Sequence, residues 1–139
     1  SKQRQLGDHT TEAVLSVDQL RFDLDAFGAD RSKLLKSLCR CATTILVDQS
    51  FGMFRKGRMA DYLGPITAQG ADAQCLIESL LVSSNRTVYW DVLSTNTEAT
   101  RLAKALGFTP TRPLIRMTLG APVSPKYENQ FAIADPAVG

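Results

Sequence analysis

Two carboxylates lie in stretches of the sequence that are otherwise largely apolar. Asp61 begins the stretch DYLGPITA, and Asp91 follows Trp90 within TVYWDVL. A carboxylate among apolar neighbours has a raised pKa, which suits a group that accepts a proton near neutral pH. We therefore take both residues as candidate general bases. The alternative is that each is a structural Asp that closes a turn through hydrogen bonds.

The backbone that follows Asp61 could also bind a ligand. Gly64-Pro65 lies inside a predicted strand that runs from Met59 to Ala68. Proline cannot donate a ladder hydrogen bond, so pairing on one side must end or bulge there. A strand that separates from its neighbour leaves backbone groups that a ligand can bind; the alternative is a kinked edge strand. The next helix is predicted to start after Asp72 as its N-cap, and a helix N-terminus binds anions through unpaired N–H groups.

Residues that commonly bind metals are few. The cysteines Cys39, Cys41 and Cys75 cannot all pair with one another, and the first two are too close for a comfortable disulfide. The one histidine, His9, lies in a polar stretch, so a zinc site would lack the usual paired ligand spacing. We expect buried thiols that act as small hydrophobes in a reducing compartment, a solvated His9 and no metal.

Length and composition limit the class of protein. With 139 residues the chain has room for one domain, and its balance of apolar and charged residues is that of a globular protein. A net charge of +2 without runs of like charge argues against nucleic acid or an anionic membrane as a partner. No apolar stretch approaches the roughly 20 residues of a membrane span, and no secretory signal is visible. We expect a cytoplasmic protein.

The first two predicted elements of the domain are helices. Ser16 and Gln19 have the spacing of a capping box, and Gly28 is predicted to end the first helix. Its predicted apolar stripe consists of Val17, Leu20, Leu24 and Phe27. The second helix is predicted to follow Asp30. Residues 1–15 are predicted as a linker or a weak edge strand, and residues 16–139 as a single domain.

Strands and helices then alternate. The predicted strands cover residues 43–48, 51–54, 59–68, 87–93, 115–119 and 130–134. Of these, residues 87–93 have the composition of a central strand buried on both faces, and residues 130–134 that of an edge strand. Helical periodicity covers residues 73–81, and a last helix follows the capping-box pair Thr95 and Glu98. This order predicts a mixed α/β fold around one sheet.

Several short motifs occur in an order that is found in one family. They are Phe22-Asp23 with Phe27 to Arg31, Tyr62 to Pro65, Trp90 to Val92, Asn96-x-x-Ala99-x-x-Leu102 with Leu106 to Phe108, and Arg116-Met117 with Gly120. In this order they resemble the GNAT superfamily of N-acetyltransferases, and specifically the second domain of tandem GNAT proteins. The resemblance implies a GNAT-like fold, with a mixed and mainly antiparallel sheet and helices on both faces.

The resemblance also implies a site for acetyl-CoA. The backbone of Ile66, Thr67 and Ala68 would bind the acetyl-pantetheine arm. The loop and helix start that follow would hold the pyrophosphate; they consist of Gln69, Gly70, Ala71, Asp72 and Ala73. Asn96 would lie near the pantetheine arm, although its place before a helix also suits a simple cap.

Three positions depart from the family pattern. Asp72 and Gln74 stand where small residues, glycine above all, are expected, and Asp72 brings a negative charge close to the phosphates. Ala103 stands where many members carry a tyrosine that protonates the leaving thiolate. Acetylation of an amine also needs a proton acceptor, for which Asp91 and Asp61 are the candidates.

We therefore predict an acetyl-CoA-dependent N-acetyltransferase, or its second domain, that acts on a small-molecule or protein amine. The cofactor would bind through a weakened pyrophosphate loop. The alternative is a catalytically degenerate GNAT-like domain with a binding, regulatory or oligomerisation role. The expected partners are the amine acceptor and either a preceding GNAT domain or a second copy of the chain.

Overall fold

The helices and strands of the chain follow the predicted order. The structure, a computed structural model, describes residues 14–110 and 126–134. Its elements are α1 (Val17–Phe27), α2 (Ser32–Cys39), β1 (Thr43–Val47), β2 (Ser50–Lys56), β3 (Asp61–Thr67), α3 (Gly70–Leu81), β4 (Val88–Trp90), α4 (Thr97–Ala105), a 3₁₀ helix (Tyr127–Asn129) and β5 (Gln130–Ala132). The predicted mixed α/β class is confirmed.

The five strands of the described residues belong to one sheet. β1 and β2 are antiparallel, as are β2 and β3. β4 runs parallel to β3 and pairs with it from Asp61 to Leu63, whereas β5 is antiparallel to β3 at Ile66 and Thr67. Because β2 occupies one edge of β3 over this whole length, β4 and β5 share the other edge. The mixed, mainly antiparallel sheet that the resemblance implied is confirmed.

Helices cover both faces of the sheet, as the resemblance implied. One face is packed by α3 and α4, which bury residues that include Leu76, Ile77 and Leu102. The other face is packed by α2 and the residues before α1. Side chains of β2 alternate between the two clusters, with Met53 in one and Phe54 in the other, because successive strand residues point to opposite faces.

Helix α1 has the predicted caps. The capping box of Ser16 and Gln19 is present, and Gly28 ends the helix in the left-handed region with φ 91°. The predicted apolar stripe is wrong in part, because Val17 is 67% exposed and Leu24 is 43% exposed, whereas Leu20 packs against the core.

The buried face of α1 consists of Gln19, Asp23 and Ala26. Each buried polar side chain has a partner: Gln19 Nε2 donates to the carbonyl of Asp48 at 2.8 Å, and Asp23 accepts from Thr67 Oγ1 at 2.7 Å. Hydrogen bonds of Gln19 and Asp23 therefore act together with the packing of Leu20 and Ala26 to orient this helix.

Three predicted boundaries shift by one to three residues. The turn before β2 consists of Asp48, with φ 55°, and Gln49, so Ser50 already belongs to the strand. Helix α3 begins at Gly70, ahead of the predicted start after Asp72, with Gln69 as its N-cap. At α4 the predicted capping box is wrong, because the N-cap is Asn96.

Two predictions of burial are also wrong. β4 covers only three of the seven residues predicted for a central strand, and Tyr89 within it is 46% exposed and stacks on Tyr62 of β3. Of the three thiols only Cys39 is buried, and burial raises its pKa; Cys41 and Cys75 are exposed.

Several predictions fall outside the described residues, among them those for residues 1–13, which include His9, and for the strand at residues 115–119. Within residues 14–110 and 126–134, no helix is long and apolar enough to cross a membrane. The same residues contain no group of three or more His, Cys, Asp or Glu side chains that could hold a metal ion.

Candidate functional site

The strand predicted to separate from its neighbour does so at the expected place. Pairing between β3 and β4 ends at Leu63, and the register between β3 and β2 skips from Leu63 to Ile66, across Gly64-Pro65. Beyond this point the edge of β3 faces Asp91, which follows β4 in sequence. We call the space between β3 residues 66–68 and Asp91 the β3–β4 cleft.

Residues 126–134, which we call segment 126–134, fill this cleft. On one side, Ala68 N donates to Asn129 O at 2.9 Å, and Asn129 Nδ2 donates to Ala68 O at 3.0 Å. On the other side, Ile133 N donates to Asp91 O at 3.0 Å. The segment therefore bridges the two walls of the cleft through its 3₁₀ helix and β5. The edge strand predicted at residues 130–134 is present in part, as β5, which pairs with β3 alone.

This insertion changes what Ile66, Thr67 and Ala68 offer to a ligand. The sequence predicted free backbone groups along this edge, whereas both backbone polar groups of Ala68 are hydrogen-bonded and the two preceding residues are paired with β5. A buried strand edge without partners is costly, and the chain supplies its own partner strand. In this conformation the edge does not have the free groups that a pantetheine arm would need.

Asn96 connects the start of α4 to the inserted segment. Its Oδ1 accepts from Ala99 N at 2.9 Å, which makes it the N-cap of the helix. Its Nδ2 lies 3.0 Å from the carbonyls of Tyr127 and Gln130 and 3.3 Å from that of Glu128. The side chain is 2% exposed. The predicted cap is confirmed, and the same carboxamide also holds segment 126–134.

Two further side chains donate to carbonyls of the segment from different strands. Trp90 Nε1, at the end of β4, donates to Phe131 O at 2.6 Å. Arg55, on β2, donates through Nη2 to Ala134 O at 2.6 Å. Sequence reasoning missed these roles, because donors more than 40 positions from their acceptors leave no local pattern in the sequence.

The N-terminus of α3 is open to solvent. Gln69, Gly70 and Ala71 are exposed, whereas Ala73 is buried in the core. A Cβ added at Gly70 would meet no atom within 4 Å. This surface has the room that a phosphate group needs at a helix N-terminus.

Asp72 lies in the first turn of this helix and does not act as its N-cap. Its Oδ2 accepts from Ser50 Oγ at 2.9 Å, and the same hydroxyl accepts from Gln69 N at 3.0 Å. Ser50 is completely buried at the start of β2. The sequence gives no signal for this serine, which lies beside α3 only because β2 and β3 pair.

The two candidate bases lie in different surroundings. Asp91 is half-buried and lines a groove of about 710 Å³ beside β4 and α4, together with Trp90, Ala103 and Phe108. Its backbone also borders the β3–β4 cleft, so it is the candidate carboxylate that the fold brings to the site. Ala103 places no hydroxyl in this groove.

Asp61 lies at the opposite end of β3, roughly 16 Å along the strand from Ile66. A hydrogen bond from Ser84, followed by the positive charge of Arg86, lowers its pKa. The expectation of a raised pKa is therefore wrong for this carboxylate. It ties the loop after α3 to the start of β3, which corresponds to the structural alternative.

Asp23 and Arg31 form a buried ion pair next to Thr67, the last residue of β3. Arg31 donates to both carboxylate oxygens of Asp23 at 2.9 and 2.8 Å, and Thr67 Oγ1 donates to the same carboxylate at 2.7 Å. Arg31 also lies over the ring of Phe27 at 4.2 Å. These contacts anchor α1 and the loop before α2 to the strand that borders the cleft.

Comparison with known proteins supports the fold described above. The family model of a GNAT acetyltransferase domain matches residues 19–132. A crystal structure of a "putative acetyltransferase" from Pyrococcus horikoshii superposes with a TM-score of 0.74 at 20% identity, which supports the fold. That match covers 93% of this chain and 44% of the archaeal one, so this chain spans less than half of that protein's length. No curated protein matches the sequence significantly. The chain belongs to the GNAT acetyltransferase family.

Proposed function

We propose that this chain is a domain of an acetyl-CoA-dependent N-acetyltransferase that transfers an acetyl group to a small-molecule or protein amine. In such a reaction the amine nitrogen forms a bond to the thioester carbonyl, the carbon–sulfur bond breaks, and the proton lost from nitrogen must be accepted. The family and fold support acetyl transfer. The observation that carries the proposal is the open N-terminus of α3 at Gly70, next to the cleft.

Because the chain spans less than half of the archaeal protein, we propose the activity for a protein in which this domain works beside a partner. The partner would be a preceding GNAT domain or a second copy of the chain. Asp91 is the proposed proton acceptor, since this residue lines the groove beside α4 and its backbone carbonyl borders the cleft.

The described conformation does not fit the whole cofactor. The surface at Gly70 has room for phosphate, but the carboxylate of Asp72 adds a negative charge to the same helix turn. The edge of β3 that would bind the pantetheine arm is paired with segment 126–134. We therefore derive no catalytic step through acetyl-CoA.

These same features favour a second candidate, a catalytically degenerate domain with a binding or regulatory role. A filled cleft, a carboxylate at the phosphate position and an alanine at position 103 each remove part of the usual machinery. Such a domain would serve the acetyl transfer of its partner without binding the cofactor itself.

Calorimetric titration separates the two candidates. The purified chain is titrated with acetyl-CoA and, as a control that lacks the nucleotide and its phosphates, with acetyl-pantetheine. Binding of acetyl-CoA with a Kd below about 1 mM, and weaker binding of the control, supports a cofactor site at α3. Absence of binding at millimolar acetyl-CoA contradicts it for this domain and favours the degenerate one.

A further inference from the structure

We propose that segment 126–134 is an internal ligand of the β3–β4 cleft that competes with acetyl-CoA, and that the carboxamide of Asn96 is the main contact that holds it there. This inference rests on the proposed function, since it assigns the cleft to the cofactor. The domain would thus have a closed state, in which segment 126–134 occupies the cleft, and Asn96 would control the stability of that state.

Competition follows from shared hydrogen-bonding groups. Both backbone groups of Ala68 are used by Asn129, and Ile66 and Thr67 are paired with β5. An extended amide-containing arm can bind a strand edge only through these same groups, because β2 occupies the other edge of β3. One occupant therefore excludes the other.

The contacts of the segment are directed at its backbone. Donors on three separate elements bind its carbonyls: Asn96 before α4, Trp90 at the end of β4 and Arg55 on β2. The part of the segment that pairs with β3 is the strand β5, and addition of a strand through main-chain groups is the mode by which a sheet accepts a peptide. The cleft therefore has the donor arrangement of a strand-binding groove that is filled by its own chain.

Asn96 is central to this arrangement because it faces three carbonyls at once. Its amide carries two hydrogens, which are shared between the carbonyls of Tyr127, Glu128 and Gln130 in a buried position. A change that removes these hydrogens but keeps Oδ1 would weaken the hold on the segment without uncapping α4.

The buried side chain of Phe131 sets how strongly the closed state is favoured. It is 1% exposed and belongs to the core cluster of α3, so release of the segment exposes a large apolar surface. The closed state then dominates, and the apparent affinity for any other occupant of the cleft falls in proportion to the open fraction. In this closed state the domain keeps the fold of a cofactor site, but segment 126–134 occupies the cleft.

The test uses variants that weaken the binding of segment 126–134 to the cleft in different ways. Asn96→Asp keeps an N-cap acceptor for Ala99 N and removes both amide hydrogens. Trp90→Phe keeps an aromatic ring but removes the indole donor and part of the ring volume that packs near Phe108. It is the second variant to test if Asn96→Asp does not fold. Glu98→Gln is the matched control, because it changes the first turn of α4 at an exposed side chain that lies outside the segment's contacts.

Hydrogen exchange reports the state of the segment without any ligand. The N–H groups of Ala68 and Ile133 donate across its two borders, whereas Asp61 N donates to Thr87 O beside β4 and reports the rest of the sheet. We expect Asn96→Asp to speed exchange at Ala68 and Ile133 roughly tenfold or more, as for the loss of one or two hydrogen bonds, with Asp61 unchanged. Equal acceleration at all three would overturn the proposal, because the segment would then open only with the whole fold.

Acetyl-CoA binding provides the second readout. We expect its Kd to fall roughly tenfold in Asn96→Asp or Trp90→Phe and to stay constant in Glu98→Gln, and we expect the bound cofactor to reduce protection at Ile133. If the wild-type chain binds acetyl-CoA while Ile133 stays protected, competition is wrong and the proposed function stands. If the segment is released locally and neither variant binds acetyl-CoA, the assignment of the cleft to the cofactor fails as well.

Discussion

The hydroxyl of Ser50 donates to the carboxylate of Asp72 at 2.9 Å and links the start of β2 to the first turn of α3. A carboxylate in the first turn of a helix interacts favourably with the helix dipole. The same position attracts the phosphates of bound nucleotides. The domain therefore carries its own anion where the family resemblance places the pyrophosphate.

Removing the negative charge of Asp72 should favour binding of the cofactor. Asp72→Asn keeps the size of the side chain, and we expect acetyl-CoA to bind several-fold tighter, on the order of fivefold to tenfold at low salt. Calorimetry at two salt concentrations checks this, because the gain should shrink as screening increases. Ser50→Ala is the control, since it removes the hydrogen bonds of this hydroxyl to Asp72 and Gln69 and leaves the charge of Asp72. An equal gain in both variants would contradict a role for the charge.

The buried ion pair behind β3 should matter more for stability than an exposed pair of the same kind. Thr67→Val removes one hydrogen bond to Asp23 and should lower the free energy of unfolding by about 1–2 kcal/mol. Asp23→Asn should cost more, about 3 kcal/mol or above, because Arg31 then loses the negative charge that faces it in the interior.

Urea denaturation of both variants gives these values, with Glu98→Gln as the reference for an exposed pair. That variant removes the negative charge that pairs with Arg101 on the surface of α4 and should change stability little. If Asp23→Asn were as mild as Glu98→Gln, the buried pair would contribute nothing to the anchoring of α1.

Local signals in the sequence predicted local structure well. The caps at Ser16 and Gly28 depend on residues within one helical turn, and both are present. The apolar stripe predicted along residues 73–81 packs against the sheet, because its buried members repeat with the helical period.

Long-range contacts could not be predicted in the same way. The apolar period of α1 pointed to Val17 and Leu24, but the helix is oriented in part by hydrogen bonds of Gln19 and Asp23 to residues up to 44 positions away. Insertion of segment 126–134 likewise depends on tertiary pairing with β3. The sequence indicated a strand near residue 130 and contained nothing that assigned its partner.

The close approach of β5 to β3 should make Gly64 intolerant of a side chain. Its φ is +136°, and a Cβ there would lie 2.4 Å from Ile133 O. We expect Gly64→Ala to lower the free energy of unfolding by about 2–3 kcal/mol, from strain and from displacement of β5. Gly70→Ala is the matched control, because its Cβ meets nothing and alanine favours a helix. Similar losses of stability in both variants would contradict the close approach.

The lowered pKa of Asp61 predicts how stability depends on acid. The largest cause of the lowered pKa is the hydrogen bond from Ser84 to the carboxylate. The positive charge of Arg86 is the next cause that stabilises the ionised form. Because the pKa in the folded state lies below the ordinary value of 3.8, the ionised carboxylate stabilises the fold above that pH. This stabilisation is lost as the pH falls through the folded-state value.

Ser84→Ala should therefore destabilise the protein near neutral pH and match the wild type more closely as the pH falls well below 3.8. Free energies of unfolding measured in urea between about pH 2 and 7 give the difference between the two curves. Ser83→Ala is the control, because Ser83 Oγ donates to Leu80 O and should give a difference that does not depend on pH. A constant difference for Ser84→Ala would mean that the hydrogen bond does not depend on ionisation of Asp61.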